Sequence, residues 1–465
     1  MGPSLGEIVA ACVLFFFVLA ALATLLILCE ECDASEQKRS ADLRKRKDVA
    51  ANWALLVAGS KSWENYRHQA DVAHAYHLLR KNGIPAEKIV TMMFDDIAND
   101  PQNLNPGTLF NDRTGRNFYE GLVVDYRGND VNSETFLRVL AGEGKGKVIR
   151  RRARAAQLTY CNFCSGPNDN IFLFYADHGG IGILSMPVGR LFTRSDLIFN
   201  LKAKKEAGGY RRLVVYLESC EGGSMFQDFP KNLDVYAMTA SNSFESSYAV
   251  LCSEYLPCLA DEFSLNWMTD SEMKGIFNRQ IQEQFKNAKQ HTVASHVSEY
   301  GNFEIRNDQI AEFQGSLKEK QNVVSRLRPL KNGCPNDVTN YKRLRIQDIA
   351  LEMQRRNRSR VIEIEQKRER LIDLVRGIVG SVVEKTKPPR IVDFFLRRER
   401  SRPHHLCTAM ALQRFDEKCA RFSENPFAFQ YSFVIANLCE WTRRSSPLLR
   451  SIDAVCAGEG LVGVV

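Results

Sequence analysis

Asn170–Gly180 reads Asn-Ile-Phe-Leu-Phe-Tyr-Ala-Asp-His-Gly-Gly, and Arg212–Ser224 reads Arg-Leu-Val-Val-Tyr-Leu-Glu-Ser-Cys-Glu-Gly-Gly-Ser. Each opens on a short run that is apolar at odd and even positions alike. A strand with two apolar faces belongs inside a parallel sheet covered by helices on both sides. Each run then stops at polar residues followed by paired glycines, which leave the last side chains open at the carboxyl end of the strand. Ligands of open α/β sheets bind at that end.

Working outward, the same alternation begins at Asn52. Strands are predicted at Asn52–Ala58, Lys88–Phe94, Asn170–Ala176, Arg212–Leu217 and Leu233–Ala237, with helices at Arg67–Leu79 and Ser195–Lys205. The expected fold is α/β, a mostly parallel sheet flanked by helices, spanning about residues 48–300. Beyond Tyr300 the strand signals thin out. Residues 301–343 read as a linker. Residues 344–465 read as a separate helical domain, with a charged helix over Leu344–Val382, Pro388-Pro389 just beyond it, and four cysteines.

The chain has 465 residues, more than one ordinary core accommodates. Its 44% hydrophobic and 25% charged residues exclude a disordered or collagen-like chain. The net charge of +8 is unevenly spread. Residues 331–465 carry 25 basic and 16 acidic side chains, the rest 38 and 39. A nucleic-acid role is not expected, because the basic third is rich in acids and lacks interleaved aromatics.

Ile8–Leu28 is a 21-residue uncharged run, preceded by no Lys or Arg. It exceeds the apolar core of an ordinary signal peptide, about 7–15 residues. Residues 1–34 therefore read as a long signal peptide cut near Ala34, or as an uncleaved signal anchor. Both lead into the secretory pathway, and the anchor is the one expected membrane contact. The thirteen cysteines fit an oxidising compartment. Cys252 and Cys258 are close enough to bridge a short loop. Cys407, Cys419, Cys439 and Cys456 suggest two disulfides, with the pairing open. The C-x-x-C pairs Cys29/Cys32 and Cys161/Cys164 lie too far apart in sequence for a zinc site. No metal or other cofactor is expected.

His178 and Cys220 occupy equivalent strand ends, each in a glycine-rich turn. Either alone is more often structural. Together they can meet across one cleft, where an imidazole can take a thiol proton and make a nucleophile. The backbone N–H groups of Gly179 and Cys220 could hold an oxyanion.

These residues also carry a family resemblance. The stretches Asn65–Asp71, Met93–Ala98, Ala176–Gly180, Glu218–Ser224 and Thr239–Asn242 with Glu245–Ser247 resemble the legumain family, asparaginyl endopeptidases of the caspase-like clan of cysteine proteases. The likeness covers about residues 52–290. It continues more weakly to the C-terminus, where the four cysteines resemble the family's helical prodomain. The resemblance implies a caspase-like sheet, Cys220 as nucleophile, His178 as general base and later acid, and Asn65 orienting the imidazole. It implies a pocket for the residue before the cut, lined by Arg67, His68, Glu218, Ser246 and Asp261. An asparagine carboxamide both donates and accepts hydrogen bonds, which suits a pocket holding Arg67 and carboxylates. Protonated aspartate resembles asparagine, so cleavage after aspartate is expected in acid.

Asp177 matches a family aspartate that forms a succinimide linked to peptide ligation; its plain role is to hold the loop. Protein and peptide substrates, cystatin-type inhibitors and an acidic lysosome- or vacuole-like compartment, or secretion, are further implications. Two features depart from the family. Residues 149–166 are longer than its corresponding loop, and the Cys252–Cys258 loop is shorter. Two other readings compete: the catalytic subunit of a GPI-anchor transamidase, and a catalytically silent interaction protein. The cysteine-rich C-terminus argues against the first, and intact Cys220, His178 and Asn65 against the second.

The charge split suggests an intramolecular inhibitor: a basic helical prodomain latched by salt bridges onto a carboxylate-rich enzyme and loosened in acid. Self-cleavage in the linker would then release it, with Asn332, Asn336 and Asn340 as the candidate sites.

Overall fold

The computed structural model describes residues 51–142, 163–252, 257–316, 338–340, 358–383, 390–396, 405–458 and 460–463. The apolar run at 8–28, the arginine-rich stretch at 149–154, Asn332 and Asn336 lie outside them. No helix among the described residues is long and apolar enough to cross a membrane.

Six strands form the central sheet: β1 (Asn52–Ala58), β2 (Ile89–Met92), β3 (Asn170–Ala176), β4 (Arg212–Glu218), β5 (Val235–Thr239) and β6 (Ser298–Gly301). Their order is β6-β5-β4-β3-β1-β2, parallel except for the antiparallel edge strand β6. The expected α/β architecture is present. Side-chain alternation divides the core in two. Leu56, Phe172, Phe174, Val214 and Tyr216 pack on one face with α1 (Tyr66–Lys81) and the later helix Glu262–Lys274. Leu55, Val57, Leu173, Tyr175 and Val215 pack on the other with Ser133–Ala141 and Arg194–Glu206.

The chain runs from β1 outward to β2, then returns to place β3 on the other side of β1. This reversal opens a crevice at the carboxyl ends of β1 and β3. Register aligns those ends, with Ala58 opposite Ala176 and Ala176 opposite Glu218. The segments after β1, β3 and β4 therefore leave the sheet at one level.

Residues 301–316 read as linker in the sequence, yet they pack onto the body of the sheet. Ile305, Ile310, Ala311 and Phe313 are buried in its core, and the Asn52 amide donates to the Gly315 carbonyl at 2.6 Å. The helical region comprises Arg358–Val383, Arg390–Leu396, His405–Lys418, Ser432–Thr442 and Ser445–Val455. Disulfides Cys407–Cys439 and Cys419–Cys456 tie His405–Lys418 to the last two helices. Cys252 bonds Cys258, and Cys164 is disulfide-bonded, which removes it as a thiolate ligand.

Candidate active site

Asn65 precedes α1 as its N-cap, yet its side chain makes no capping bond. A side-chain cap normally stabilises a helix by about 1 kcal/mol. Here the Asn65 amide N–H group donates to the Lys61 carbonyl at 2.9 Å, and its Oδ1 meets His178 Nε2 at 2.7 Å. That orientation puts the imidazole proton on Nε2 and leaves Nδ1 as the basic nitrogen. The His68 ring stands edge-on to the His178 ring at 4.9 Å.

Cys220 is a free, half-buried thiol at the end of β4. Its Sγ lies 3.9 Å from the Ser247 carbonyl and 4.0 Å from Ser247 Oγ. The next residue, Glu221, takes a left-handed conformation (φ 54°), and its N–H donates to the Glu245 carbonyl at 2.7 Å. Gly222 and Gly223 donate to Ser241. The turn is thus held on both sides of the thiol. A Cβ on Gly179 would fall 2.5 Å from the Cys220 carbonyl and 2.8 Å from Ser219 Oγ. The turns after β3 and β4 approach so closely that only glycine fits there.

The expected pocket residues converge beside this pair. Arg67 Nε donates to Asp261 Oδ1 at 2.8 Å. His68 Nδ1 contacts Ser60 Oγ at 2.7 Å and Asp177 Oδ1 at 3.5 Å, and its Nε2 lies 3.6 Å from Asp261 Oδ2. Glu218 Oε2 accepts from the Ser264 N–H and hydroxyl at 2.9 and 3.0 Å. Ser246 is buried. Burial pushes the carboxyls of Glu218 and Asp177 well above their usual range, and it lowers the basicity of His68, reinforced by Arg67 and His178. Asp261 is also raised by burial, but Arg67 opposes the shift. Glu218 Oε1 and Asp261 Oδ2 are buried acceptors without a hydrogen-bond partner among the described residues.

His68, Asp177 and His178 bring ligand atoms within 4.8 Å of one another. Two of them already serve neighbours: His178 meets Asn65, and His68 meets Ser60.

Sequence reasoning missed several neighbours. Ser247 contacts the thiol through its carbonyl and its hydroxyl. Asp71 lies behind Asp261, whose backbone N–H donates to Asp71 Oδ2 at 3.3 Å. Its place four residues after Arg67, on one helix face, was the available signal. Phe429 and Ser432 come from the helical region. The Phe429 ring is 6.0 Å from that of His178, and Ser432 Oγ accepts from the Ile181 N–H at 3.3 Å. Among the candidate linker asparagines, Asn340 is described. It ends the strand Val338–Asn340, which pairs antiparallel with Tyr248–Val250.

The site can therefore place a thiol, an oriented imidazole and a pocket of mixed charge around one peptide. The model of the peptidase C13 family matches residues 52–316. A hemoglobinase of Schistosoma mansoni is 34% identical over 87% of this chain and 91% of its own length. Legumain of Bos taurus is 34% identical over 90% and 95%. A vacuolar-processing enzyme beta-isozyme of Arabidopsis thaliana is 42% identical over 61% and 60%. Caspase-1 from Spodoptera frugiperda aligns with a TM-score of 0.32 and 9% identity over 54% of this chain and 88% of that one. That likeness is too slight to bear on the site. With a family match over more than half its length and relatives aligned nearly end to end, the chain belongs to the peptidase C13 family and is a cysteine-type endopeptidase.

Proposed function

We propose that this enzyme cuts peptide bonds after asparagine, and after aspartate in acid, and is made as a precursor held inactive by its helical C-terminal region. The observation that carries the specificity is the pair of buried, unpartnered acceptors, Glu218 Oε1 and Asp261 Oδ2, beside Arg67. Buried acceptors without donors are costly, on the order of 1–3 kcal/mol each. A carboxamide brings two N–H donors for them and one oxygen for Arg67. An ionised aspartate would bring no donor and a repelled charge, whereas its protonated form is accommodated.

In the reaction, His178 Nδ1 takes the Cys220 proton and the thiolate attacks the scissile carbonyl. The N–H groups of Gly179 and Cys220 hold the oxyanion. His178 then gives its proton to the leaving amine. Water, activated by His178, hydrolyses the thioester and restores the thiol. Asn65 keeps Nε2 protonated throughout.

Three contacts support the inactive precursor. Phe429 lies against His178, Ser432 meets the Ile181 N–H, and Ile183 and Leu191 pack into the helical core. The linker strand Val338–Asn340 covers Tyr248–Val250, next to the Ser247 carbonyl that faces the thiol. These contacts are apolar, hydroxyl or backbone in kind. The ion pairs described within the helical region, Lys367–Glu363, Arg376–Asp373 and Arg414–Asp453, are internal to it. The contacts that support the proposed cap are therefore packing and backbone contacts, and the salt-bridge latch rests on the charge split of the sequence alone. Acid processing at Asn340, Asn332 or Asn336 would remove the cap, in a lysosome- or vacuole-like compartment or after secretion.

The test uses the full chain, brought to about pH 5, where carboxylates begin to protonate. Peptides carry Asn, Asp or Ala before the scissile bond, with Cys220→Ala as control. Cleavage that requires Asn, extends to Asp in acid and vanishes in the control is expected. Absence of Asn-dependent cleavage would overturn the proposal.

A further inference from the structure

Two segments meet beside Asn65: residues 59–65, which follow β1, and residues 93–98, which follow β2. Ser62 lies in the first, with φ 75° and ψ 154°. That backbone conformation belongs almost wholly to glycine, because a Cβ crowds it, and another residue keeps it only where the surroundings impose it. Asp96, in the second segment, supplies the restraint: its Oδ2 accepts from the Ser62 N–H at 2.7 Å. Asp96 is fixed in turn from α1. The fully buried Gln69 donates from Nε2 to Asp96 Oδ1 at 2.7 Å, and its Oε1 accepts from the Asp95 N–H at 3.1 Å. These two bonds fix one orientation of the Gln69 amide. The neighbouring Asp95 pairs with Arg127 at 2.7 Å, while Asp96 accepts from the N–H groups of Ser62 and Gln69. Lys61 Nζ, 5.5 Å from the centre of the Phe94 ring, joins the same two segments.

Ser62 in turn governs Asn65. The Ser62 carbonyl accepts from the Asn65 N–H at 3.0 Å, and the Lys61 carbonyl accepts from Asn65 Nδ2 at 2.9 Å. The second bond aims Asn65 Oδ1 at His178 Nε2. Relaxation of Ser62 to a negative φ would rotate the preceding peptide unit and swing the Lys61 carbonyl away from that amide. Trp63 packs edge-on against Tyr66 at 5.3 Å and anchors the turn that follows, so the movement falls on the Lys61 side. The Asn65 backbone would stay in place while its side chain lost its tether.

We propose that Asp96 is a positioning residue for catalysis: by holding Ser62 in a glycine-type conformation it keeps the Lys61 carbonyl on the Asn65 amide, and so keeps the His178 imidazole aimed. The assignment rests on the role of Asn65 proposed above. Asp96 acts through Ser62 and Asn65, two steps removed from the reacting atoms.

The experiment measures kcat and KM on an Asn peptide, using acid-treated full chain and normalising to alkylatable Cys220. It compares the wild type, Asp96→Ala, Ser62→Gly and the double variant. Glycine adopts the Ser62 conformation without strain. With Ser62 present, Asp96→Ala should lower kcat about tenfold and leave KM within about twofold. Combined with Ser62→Gly, the same change should cost about threefold or less, and combined with Asn65→Ala it should add no further loss. A carboxylate that only stabilised the fold would lower the melting temperature and the yield of active thiol but leave kcat per thiol intact. Should Asp96→Ala fail to fold, Ser62→Val tests the same link with Asp96 in place. Ser62 is exposed, and a β-branched side chain tolerates positive φ worst, so Ser62→Val should also lower kcat about tenfold at similar KM. An equal kcat loss from Asp96→Ala with and without Ser62→Gly, or an unchanged kcat in Asp96→Ala or Ser62→Val, would overturn the assignment. If Asn65→Ala alone leaves kcat unchanged, the role of Asn65 falls first, and the assignment with it.

Discussion

The ring of Phe429 lies 6.0 Å from the imidazole of His178, tilted by 32°, and backs onto Phe422 at 4.5 Å. A side chain from the helical region thus stands where a peptide would have to approach the proposed general base. Phe429→Ala in the full chain should speed alkylation of Cys220 at neutral pH by about tenfold. Phenylalanine truncation in a core also costs about 3–5 kcal/mol, so part of that effect would be loosening of the helical region. Phe429→Leu keeps most of the apolar volume and should give a smaller rise with little loss of thermal stability. Equal alkylation rates in all three proteins would remove Phe429 from the cap.

Asn65 forgoes its capping bond to meet His178. Asn65→Ala should therefore lower kcat by about 10- to 100-fold through loss of imidazole orientation, with KM within about twofold. The helix has no side-chain cap to lose there, so the stability change should be about 1 kcal/mol, from the orphaned His178 N–H. Steady-state kinetics and a melting curve on the same sample separate the two effects. A large KM change with intact kcat would assign Asn65 to substrate binding instead.

The central strands are legible because their burial is two-sided and each is closed by glycine or charge, as are the helices Tyr66–Lys81 and Arg194–Glu206, whereas Ser133–Ala141 and Glu262–Lys274, which also cover the sheet, are not among the expected helices. Asn52–Ala58 and Asn170–Ala176 fall where the apolar runs place them. The edge strand Ser298–Gly301 was not legible, since only one neighbour pairs with it and its four residues are all half-buried. Residues 301–316 looked like linker because their apolar side chains are sparse, yet Ile305, Ile310 and Phe313 each fill the core. At the site, Cys220 and His178 announce themselves at strand ends. Asp71, Ser247 and Phe429 gain meaning only from what folds against them, and Phe429 comes from more than two hundred residues away in sequence.

Gly179 offers a test of how tightly the two catalytic turns are matched. An alanine Cβ would sit 2.5 Å from the Cys220 carbonyl and 2.8 Å from Ser219 Oγ. Backbone cannot yield cheaply, so the turns after β3 and β4 would be pushed apart. Misplacement by about 1 Å can cost about 100-fold in rate. Gly179→Ala should lose at least that much kcat/KM, whereas Gly182→Ala, in the same loop with open space around it, should not alter the approach of the two turns. Its left-handed backbone (φ 71°) makes some stability loss expected there too. Comparable loss of activity in both variants would point to general loop disruption.

Asp416 bears on how acid acts on the helical region. It is buried, accepts from the Phe422 N–H at 2.7 Å, and burial raises its carboxyl from 3.8 to about 6. A carboxyl raised on folding binds its proton more tightly in the native state. Its penalty is therefore fully present above pH 6, shrinks as pH falls through the folded value, and vanishes below the unfolded value near 4. The difference amounts to on the order of 3 kcal/mol. Through this group, acid tightens the helical region instead of loosening it. Asp416→Asn, a neutral mimic, should raise the stability of that region at pH 7.5 and flatten its gain between pH 7 and 4. Hydrogen exchange at the Phe422 amide in full-length protein reads this locally. If the variant becomes less stable at pH 7.5 and keeps the wild-type pH slope, the burial penalty at Asp416 is not what sets it. If the expected flattening appears, acid release of the cap must come from the linker or from carboxylates on the enzyme face, since unfolding of this helical core would be opposed by its own aspartate.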